Sequence, residues 1–244
     1  MKTFIVIPNY FINEEVEQLA IQAVKSFKET ADCEVVCVDD ASPRDPCFLR
    51  KHCDQLIIRG TNGGFAKTCN TGLRYVMDVC PNDAYVVLAN NDIKVYPGWL
   101  EEFKKLEPFD MAGGLGFRGE PDWGKKNCNY ISEGGMLEDW LFPGGFFITK
   151  LSVLREIGLY DENYEHGGVE DIDLFYVAKK ANKRLVMTPK VLYGHKEGAT
   201  RYSDGEKKKQ SDAILRNEAY FEKKYGIHPI KHLNQILCDR RINL

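Results

Sequence analysis

Short apolar segments alternate with amphipathic segments in the first half of the chain, and this alternation restricts the folds open to it. The apolar segments predict strands at 3–8, 34–38, 55–58 and 85–89. Apolar residues recur at helical spacing in 14–27 and 66–79, which predicts two helices. Strands that alternate with helices are typical of a parallel sheet covered by helices. We therefore expect an α/β fold with a mostly parallel central sheet.

The second half of the chain is less regular. Glycine pairs at 113–114, 134–135, 144–145 and 167–168 indicate turns and close backbone approaches. Its predicted elements are helices at 150–157, 172–181 and 211–225, strands at 184–187 and 191–193, and a polar loop at 196–210. No stretch has the composition of a linker, so we expect a single domain over 1–244, with two halves that meet near residue 110 and a tail over 226–244.

Polar residues follow the predicted strands directly. Asn90, Asn91 and Asp92 end the fourth strand, and Asp39 and Asp40 end the second. In an open α/β sheet, ligands bind beyond the carboxyl ends of the strands. A carboxylate such as Asp92 can hold a divalent cation there, and the cation can hold a diphosphate. The Asp39-Asp40 pair has two readings, a turn or an acceptor for a base or ribose.

A second polar motif, Asn62-Gly63-Gly64, opens the helix predicted at 66–79. Asn62 either caps that helix or helps its N-terminus to bind a phosphate or sugar. The glycine-rich fingerprint of dinucleotide-binding folds does not follow the first strand, where Pro8-Asn9-Tyr10-Phe11 stands instead. A P-loop is also absent from the sequence. An NAD enzyme and a P-loop nucleotidase are therefore disfavoured.

The net charge and the cysteine content restrict the partners and the cellular location that we expect for the protein. The formal net charge of −3 gives no electrostatic reason to expect nucleic-acid binding. No apolar run approaches the roughly 20 residues that span a bilayer, and the predicted strand at 3–8 follows the N-terminus directly. The eight cysteines contain no C-x-x-C pair, which favours free thiols. We expect a cytoplasmic protein, either free or peripheral to a membrane.

The motifs, in this order and spacing, resemble glycosyltransferase family 2, and within it the bacterial rhamnosyltransferase-like branch. The resemblance covers roughly 3–200 and rests on the segments 6–10, 38–42, 62–66, 90–92, 158–162 and 168–174, with Asn70, Gly72 and His195. It implies the Rossmann-like GT-A fold and a nucleotide-sugar donor. It assigns donor binding to 1–110 and the acceptor and catalytic groups to 111–225.

The resemblance also implies roles for individual residues. Asp39 would contact the nucleobase and Asp40 the ribose, with Pro8 and Tyr10 in the base pocket. Further donor contacts fall on Asn62, Gly63, Asn70, Asn91 and Gly145. Asp92 matches the last acid of the family's D-x-D motif and would bind Mn²⁺ or Mg²⁺, with His195 as a further ligand. Asn90 replaces the first acid, which removes one charged ligand.

Glu170 and Asp171 begin a predicted helix and have two readings. Acids in a first helical turn stabilise the helix dipole. The resemblance instead makes Asp171 the general base of an inverting transfer, with Glu170 as the second candidate. Trp140 and Phe142 would by default pack in the core, whereas the resemblance implies that they line the donor-sugar and acceptor side. The polar loop, which contains Arg201, Tyr202 and 207–209, is either a solvated surface or a lid.

The resulting hypothesis is an inverting, metal-dependent hexosyltransferase. It would move a sugar from a UDP- or dTDP-sugar to a hydroxyl of a glycan or lipid-linked glycan. One alternative is a sugar nucleotidyltransferase, which would carry a glycine-rich basic loop where Asn9-Tyr10-Phe11 stands. The other is an inactive homologue that binds a nucleotide or glycan, and Asn90 keeps this alternative open.

Overall fold

The computed structural model describes residues 1–118, 137–138, 144–196 and 206–229. The helices are α1 (Glu14–Thr30), α2 (Phe65–Val79), α3 (Trp99–Lys104), α4 (Leu151–Ile157), α5 (Glu170–Lys180) and α6 (Glu206–Tyr225), with a 3₁₀ helix at Pro46–Lys51. The strands are β1 (Thr3–Asn9), β2 (Glu34–Asp39), β3 (Gln55–Ile58), β4 (Tyr85–Ala89), β5 (Ile93–Val95), β6 (Met111–Arg118), β7 (Leu137–Glu138), β8 (Phe146–Lys150) and β9 (Leu185–His195).

Within these residues the strands form one sheet in the order β3-β2-β1-β4-β8-β6-β9-β5, with β7 paired to β9. The first four strands in this order are mutually parallel. β8 is antiparallel to β4 and β6, β9 is parallel to β6, and β5 and β7 are antiparallel to β9. Six of the nine described strands thus run in one direction, and the expected mostly parallel sheet flanked by helices is confirmed.

Two hydrophobic layers cover the sheet, one on each face. Successive residues of a strand point to opposite faces, so Ile5 and Ile7 of β1 pack against α1, whereas Phe4 and Val6 pack against α2. α3 adds Trp99 to the α1 layer, and α4 and α5 lie in the α2 layer. The helices therefore leave the carboxyl ends of the parallel strands as the edge where polar residues gather.

Gly72 allows α2 to lie close to the sheet. A Cβ atom on Gly72 would be 2.5 Å from Cγ1 of Val6 and 3.0 Å from Cγ2 of Val38. Those distances are shorter than side-chain contacts tolerate, so a larger residue would push the helix away from β1 and β2. The close approach brings the N-terminus of α2 beside the end of β2.

The predicted strands and helices of the first half are confirmed, with α1 three residues longer than expected. In the second half several expectations are wrong. The strands expected at 184–187 and 191–193 are one strand, β9. The polar loop expected at 196–210 is wrong from residue 206 onward, because α6 begins at Glu206 and includes the lysines at 207–209. α5 begins at Glu170 rather than at 172.

Other expectations concern thiols and membranes. The six cysteines of the described residues are free, as expected; they are Cys33, Cys37, Cys47, Cys53, Cys69 and Cys80. Cys128 and Cys238 lie outside the described residues, as do Trp140, Phe142, Arg201 and Tyr202. In the part of the chain that the structure describes, no helix combines the length and apolar character needed to cross a bilayer.

Ion pairs dock α6 onto the rest of the molecule. The Lys224 ammonium lies 2.7 Å from Oδ2 of Asp161 and 3.0 Å from Oδ1 of Asp173 in α5. Burial disfavours the charged form of Asp161, but hydrogen bonds from Lys224, the Asn163 amide and Tyr220 outweigh it and lower its pKa from 3.8 to about 2. The ionised Asp161 carboxylate therefore stabilises the folded state.

Asp161→Asn should make the stabilising contribution of this carboxylate visible as a function of pH. A lowered folded-state pKa contributes stability above the unfolded value of 3.8, and that contribution disappears as the pH falls toward about 2. We expect the variant to be less stable than the wild type in urea at neutral pH and the difference to vanish in acid. A difference in unfolding midpoint that does not change with pH would contradict this role of Asp161.

Candidate active site

The carboxyl ends of β1, β2 and β4 meet at one edge of the sheet. β2 lies on one side of β1 and β4 on the other. In open α/β sheets, ligands bind at the carboxyl ends of the strands where the strand order reverses in this way. Register places Pro8 opposite Val38 and Asn9 opposite Asp39, and the half-buried Tyr10 follows directly. Three of the residues expected in a base pocket, Pro8, Tyr10 and Asp39, therefore lie along this edge.

Asp39 is fixed by Ser42. The Ser42 hydroxyl donates to one carboxylate oxygen of Asp39, and its amide donates to the other at 3.1 Å. The same hydroxyl accepts the Phe11 amide at 2.7 Å, which ties the segment after β1 to the segment after β2. Burial raises the pKa of Asp39, although the Ser42 hydrogen bonds oppose this change. Asp39 is thus held rigidly at the end of β2.

Asp40 organises the loop before α2. Its two carboxylate oxygens accept the amides of Gly63 at 2.9 Å and Gly64 at 2.8 Å. The Arg59 guanidinium lies 3.4 Å from the same carboxylate. Both oxygens of Asp40 are therefore engaged by the protein itself. Asn62 is exposed, and the residue that caps α2 is Gly64, which rules out Asn62 as the cap.

Asn70 connects α2 to the segment before α5. Its amide nitrogen donates to the Tyr160 carbonyl at 2.8 Å and to Glu162 Oε1 at 2.9 Å, and its oxygen accepts the Tyr160 amide at 3.0 Å. The side chain is buried. In the structure this amide holds two parts of the chain together, and the expected donor contact of Asn70 stays a prediction.

Asp92 and His195 come together through the pairing of β5 with β9. Ile93 lies opposite His195 in that pairing, and Asp92 immediately precedes Ile93. Asp92 Oδ1 and His195 Nε2 are 3.0 Å apart. Both atoms are buried, and neither makes a hydrogen bond to the described residues despite this ion-pair distance. A carboxylate oxygen and an imidazole nitrogen are both atom types that bind divalent cations.

The donor atoms of this pair fit a divalent cation. Octahedral Mn²⁺ and Mg²⁺ prefer oxygen ligands at about 2.0–2.2 Å, and neighbouring ligands are then about 3 Å apart, close to the observed separation. Among the described residues no group of three His, Cys, Asp or Glu side chains could hold a metal ion. A cation at Asp92 and His195 would therefore need further oxygen ligands from a bound donor.

The Gly144-Gly145 pair lies beside both His195 and Asp171. A Cβ atom on Gly145 would be 3.0 Å from Nδ2 of Asn90 and 3.3 Å from Cε1 of His195. A Cβ atom on Gly144 would be 2.2 Å from Oδ2 of Asp171. The Gly145 carbonyl also accepts the Asn90 amide at 2.8 Å. Glycine at both positions lets the two groups approach the same backbone segment.

The Asp171 carboxylate is held at the start of α5. Its Oδ2 accepts the Gly144 amide at 3.1 Å, and its Oδ1 accepts the Ile172 amide at 2.8 Å. Glu170 is buried, with 5% exposure. Burial raises the pKa of the nearby Tyr160 hydroxyl, and the charges of Asp171 and Glu170 raise it further. Both candidate acids thus lie close to the same buried phenol.

The sequence did not single out several residues that shape this site. Ser42 holds Asp39 at the end of β2, and Arg59 lies against Asp40, the next residue. Asn217 and Gln210 of α6 hold the segment before α5. The sequence does contain a pattern from which Asn217 could have been identified. It lies between Ala213 and Phe221 at helical spacing, and all three side chains are buried. A polar residue at such a position requires hydrogen-bond partners within the fold.

A family model decides the classification. The model of glycosyl transferase family 2 matches residues 4–133, more than half of the chain. The chain belongs to glycosyltransferase family 2. The matched residues include the Asp39-Asp40 turn, the loop before α2 and the Asn90-Asp92 segment. No curated protein sequence matches the chain significantly.

Solved structures share the fold of this family 2 glycosyltransferase at low identity. S. aureus TarS 1–349 in complex with UDP-GlcNAc is 16% identical, with a TM-score of 0.59 over 93% of this chain and 75% of that chain. Mannosyltransferase PcManGT from Pyrobaculum calidifontis, in complex with GDP-Man and Mn²⁺, is 16% identical, with a TM-score of 0.62 over 96% and 68%. GalNAc-T7 with UDP, GalNAc and Mn²⁺ is 13% identical, with a TM-score of 0.62 over 96% and 56%.

The family and these likenesses confirm two expectations. The fold is the mixed α/β fold of GT-A glycosyltransferases. The protein is a glycosyltransferase that depends on a nucleotide sugar. The rhamnosyltransferase-like branch stays a prediction.

Proposed function

We propose that this glycosyltransferase inverts the anomeric centre, uses Mn²⁺ or Mg²⁺, and transfers a hexose from a UDP- or dTDP-sugar to a hydroxyl of a glycan or lipid-linked glycan. The observation that carries the proposal is the approach of two buried atoms, Asp92 Oδ1 and His195 Nε2, to 3.0 Å without a hydrogen bond from either to the described residues. Gly145 lies beside His195, and Gly144 lies beside Asp171. A cation site and a general base on either side of a sugar site are what such a transfer requires.

Each part of the chain has a task in this reaction. Pro8, Tyr10 and Asp39 would bind the nucleobase, and Asp92 and His195 would hold the cation. A bound divalent cation supplies positive charge that stabilises the departing diphosphate. Asp171 would accept the proton of the acceptor hydroxyl while that oxygen bonds to the anomeric carbon and the bond from the anomeric carbon to the diphosphate breaks.

Backbone contacts of Asp171 would orient its carboxylate for the role of a base. Amides of Gly144 and Ile172 donate to its two oxygens, which fixes its orientation. Each carboxylate oxygen can accept more than one hydrogen bond, and the base role requires that an acceptor hydroxyl donate to one of them. Asp40 would act indirectly, since its oxygens already hold the Gly63 and Gly64 amides at the α2 N-terminus. Those two glycines would then present the loop to the donor.

A panel of nucleotide sugars tests the proposal. A ligand that binds only the folded state at about a hundred times its Kd adds about 2.7 kcal/mol of stability, which raises Tm by about 5–10 °C for a domain of this size. We expect a UDP- or dTDP-sugar to give this shift with Mn²⁺ and a smaller one with EDTA. The same donor should then lose its sugar to water or an added acceptor with inversion, seen by NMR. A shift by GDP-sugars alone, or retention of configuration, would contradict the proposal.

The two alternatives give different results in that panel. A sugar nucleotidyltransferase would bind UTP or dTTP with a sugar 1-phosphate and release pyrophosphate. An inactive homologue would show the thermal shift but no release of UDP or dTDP. β1 ends at Asn9 and is followed by Tyr10-Phe11 rather than by a glycine-rich basic loop, which disfavours the first alternative.

A further inference from the structure

The turn that leads into α5 has an unusual backbone. Four successive residues, His166, Gly167, Gly168 and Val169, have positive φ angles of 57°, 152°, 103° and 80°. We call these residues the left-handed turn. Val169 is β-branched, and such residues very rarely adopt this conformation. A backbone of this kind persists only where the surrounding structure holds it.

α6 holds the left-handed turn from one side. The Asn217 side chain is 2% exposed, and its amide nitrogen donates to the carbonyls of Glu165 and Gly168, both at 2.9 Å. Its oxygen accepts the Glu165 amide at 3.0 Å. Gln210 donates to the Gly167 carbonyl at 2.7 Å. Two α6 side chains therefore bind the backbone at and beside the turn with four hydrogen bonds.

The N-terminus of α2 holds the turn from the other side. The Phe65 amide donates to the His166 carbonyl at 3.0 Å. A Cβ atom on Gly64 would lie only 2.8 Å from the His166 nitrogen. The turn is thus fixed between α6 and the loop that Asp40 organises. A change at α6 would be passed directly to α5, because α5 begins at the residue after the turn.

We propose that Asn217 is a positioning residue for the transfer reaction: it fixes the left-handed turn and thereby sets the place of the Asp171 carboxylate. The inference rests on the proposed role of Asp171 as base. Asp171 is two residues beyond the turn, and its contact with Gly144 depends on where α5 begins. α6 lies outside residues 4–133, which the family model matches. The structure therefore gives a catalytic contribution to a helix beyond the matched region.

Asn217→Ala and Asn217→Asp test the inference. Asn217→Asp keeps the size of the side chain and the acceptor for Glu165 but turns an oxygen toward two carbonyls. We expect kcat for donor hydrolysis to fall about tenfold or more, with the donor KM unchanged and the acidic limb of the kcat–pH profile displaced. The substrate is the nucleotide sugar with the largest thermal shift in the panel. Gln210→Ala removes only the partly exposed hydrogen bond to the Gly167 carbonyl. It should displace the kcat–pH profile in the same way but less, and it replaces the Asn217 variants in the test if they do not fold.

Lys224→Met is the matched control. It removes the ion pairs of α6 with Asp161 and Asp173 but leaves the left-handed turn untouched. Assayed well below its Tm, it should keep the wild-type kcat and pH profile although it is less stable. If Lys224→Met changes both as much as the Asn217 variants do, then Asn217 only docks the helix, and the inference is overturned.

Asp171→Asn separates this inference from the proposed function. When Asp171 is already asparagine, Asn217→Ala should cost no further activity, since it acts through the missing carboxylate. If Asp171→Asn is inactive while the Asn217 and Gln210 variants keep the wild-type kcat and pH profile, only the positioning role fails. If Asp171→Asn keeps normal turnover, the proposed base and the positioning role both fail.

Discussion

Asp171→Asn should reduce kcat by about 10²–10⁴, the range that a general base contributes, while the donor KM stays near the wild-type value. Asparagine has the same shape and can still accept one of the two amide bonds from Gly144 and Ile172. It cannot take a proton from the acceptor hydroxyl. An interaction that exists only in the transition state lowers kcat and kcat/KM equally when it is removed.

Two other substitutions make the result on Asp171 interpretable. Asp161→Asn removes a carboxylate that pairs with Lys224 on α6 and should leave kcat unchanged. Glu170→Gln distinguishes the two neighbouring acids of α5. If Glu170→Gln abolishes turnover while Asp171→Asn preserves it, the base is Glu170 and the assignment to Asp171 is wrong.

Asp92→Ala should remove most of the Mn²⁺-dependent part of UDP affinity. Calorimetry with the wild type should show tighter UDP binding in Mn²⁺ than in EDTA. We expect the affinity of the variant for UDP in Mn²⁺ to fall about tenfold or more, while its affinity in EDTA changes little. Loss of even an outer-shell partner of a metal ligand can reduce metal affinity by this factor. His195→Ala should have the same metal-specific effect, since its Nε2 lies 3.0 Å from Asp92 Oδ1.

Asp39→Ala is the contrasting variant for this measurement. Asp39 lies at the end of β2 and is held by Ser42, away from the β5–β9 pairing. Its loss should weaken UDP binding equally with and without Mn²⁺. Equal losses for Asp92→Ala in both conditions would remove the cation role from Asp92.

The sequence predicts the parallel half of the sheet well because each strand there is an apolar run that ends in a polar residue. β6 was missed for a physical reason. It contains Gly113, Gly114 and Gly116, which read as turn residues, yet their lack of side chains is what the sheet requires. A Cβ atom on Gly114 would be 2.4 Å from Leu192 Cδ1, and one on Gly116 would be 2.3 Å from the Tyr193 ring.

β9 and α6 illustrate two other limits of sequence patterns. The segment 188–190, which is Thr-Pro-Lys, suggests a break, but shifts in register at Leu115 let β6 stay paired with a continuous β9. In α6 the buried face includes Asn217, so the apolar period is interrupted where hydrogen bonds replace apolar packing. Periodicity detects apolar burial and does not detect a buried amide.

The sequence motifs allow individual candidate residues of the site to be named. They do not predict contacts between residues from distant segments of the chain. Asp92 and His195 could be named from their motifs, but their contact depends on the three-residue pairing of β5 with β9. The contact of Asp171 with Gly144 joins residues 27 positions apart. The side chains of Asp40 and Asn70 form hydrogen bonds to other parts of the protein, and their expected donor contacts stay predictions.

β5 has a consequence for how the molecule would respond to its ligands. It is the last strand of the sheet order, spans only Ile93–Val95, and has β9 as its strand partner. Short edge segments are where local opening costs least free energy. A cation shared by Asp92 and His195 would cross-link that edge at the point where opening would begin. Amides of β5 and the end of β9 should then exchange with solvent more slowly when donor and cation are bound. The ligand would thus also stabilise backbone that it does not contact.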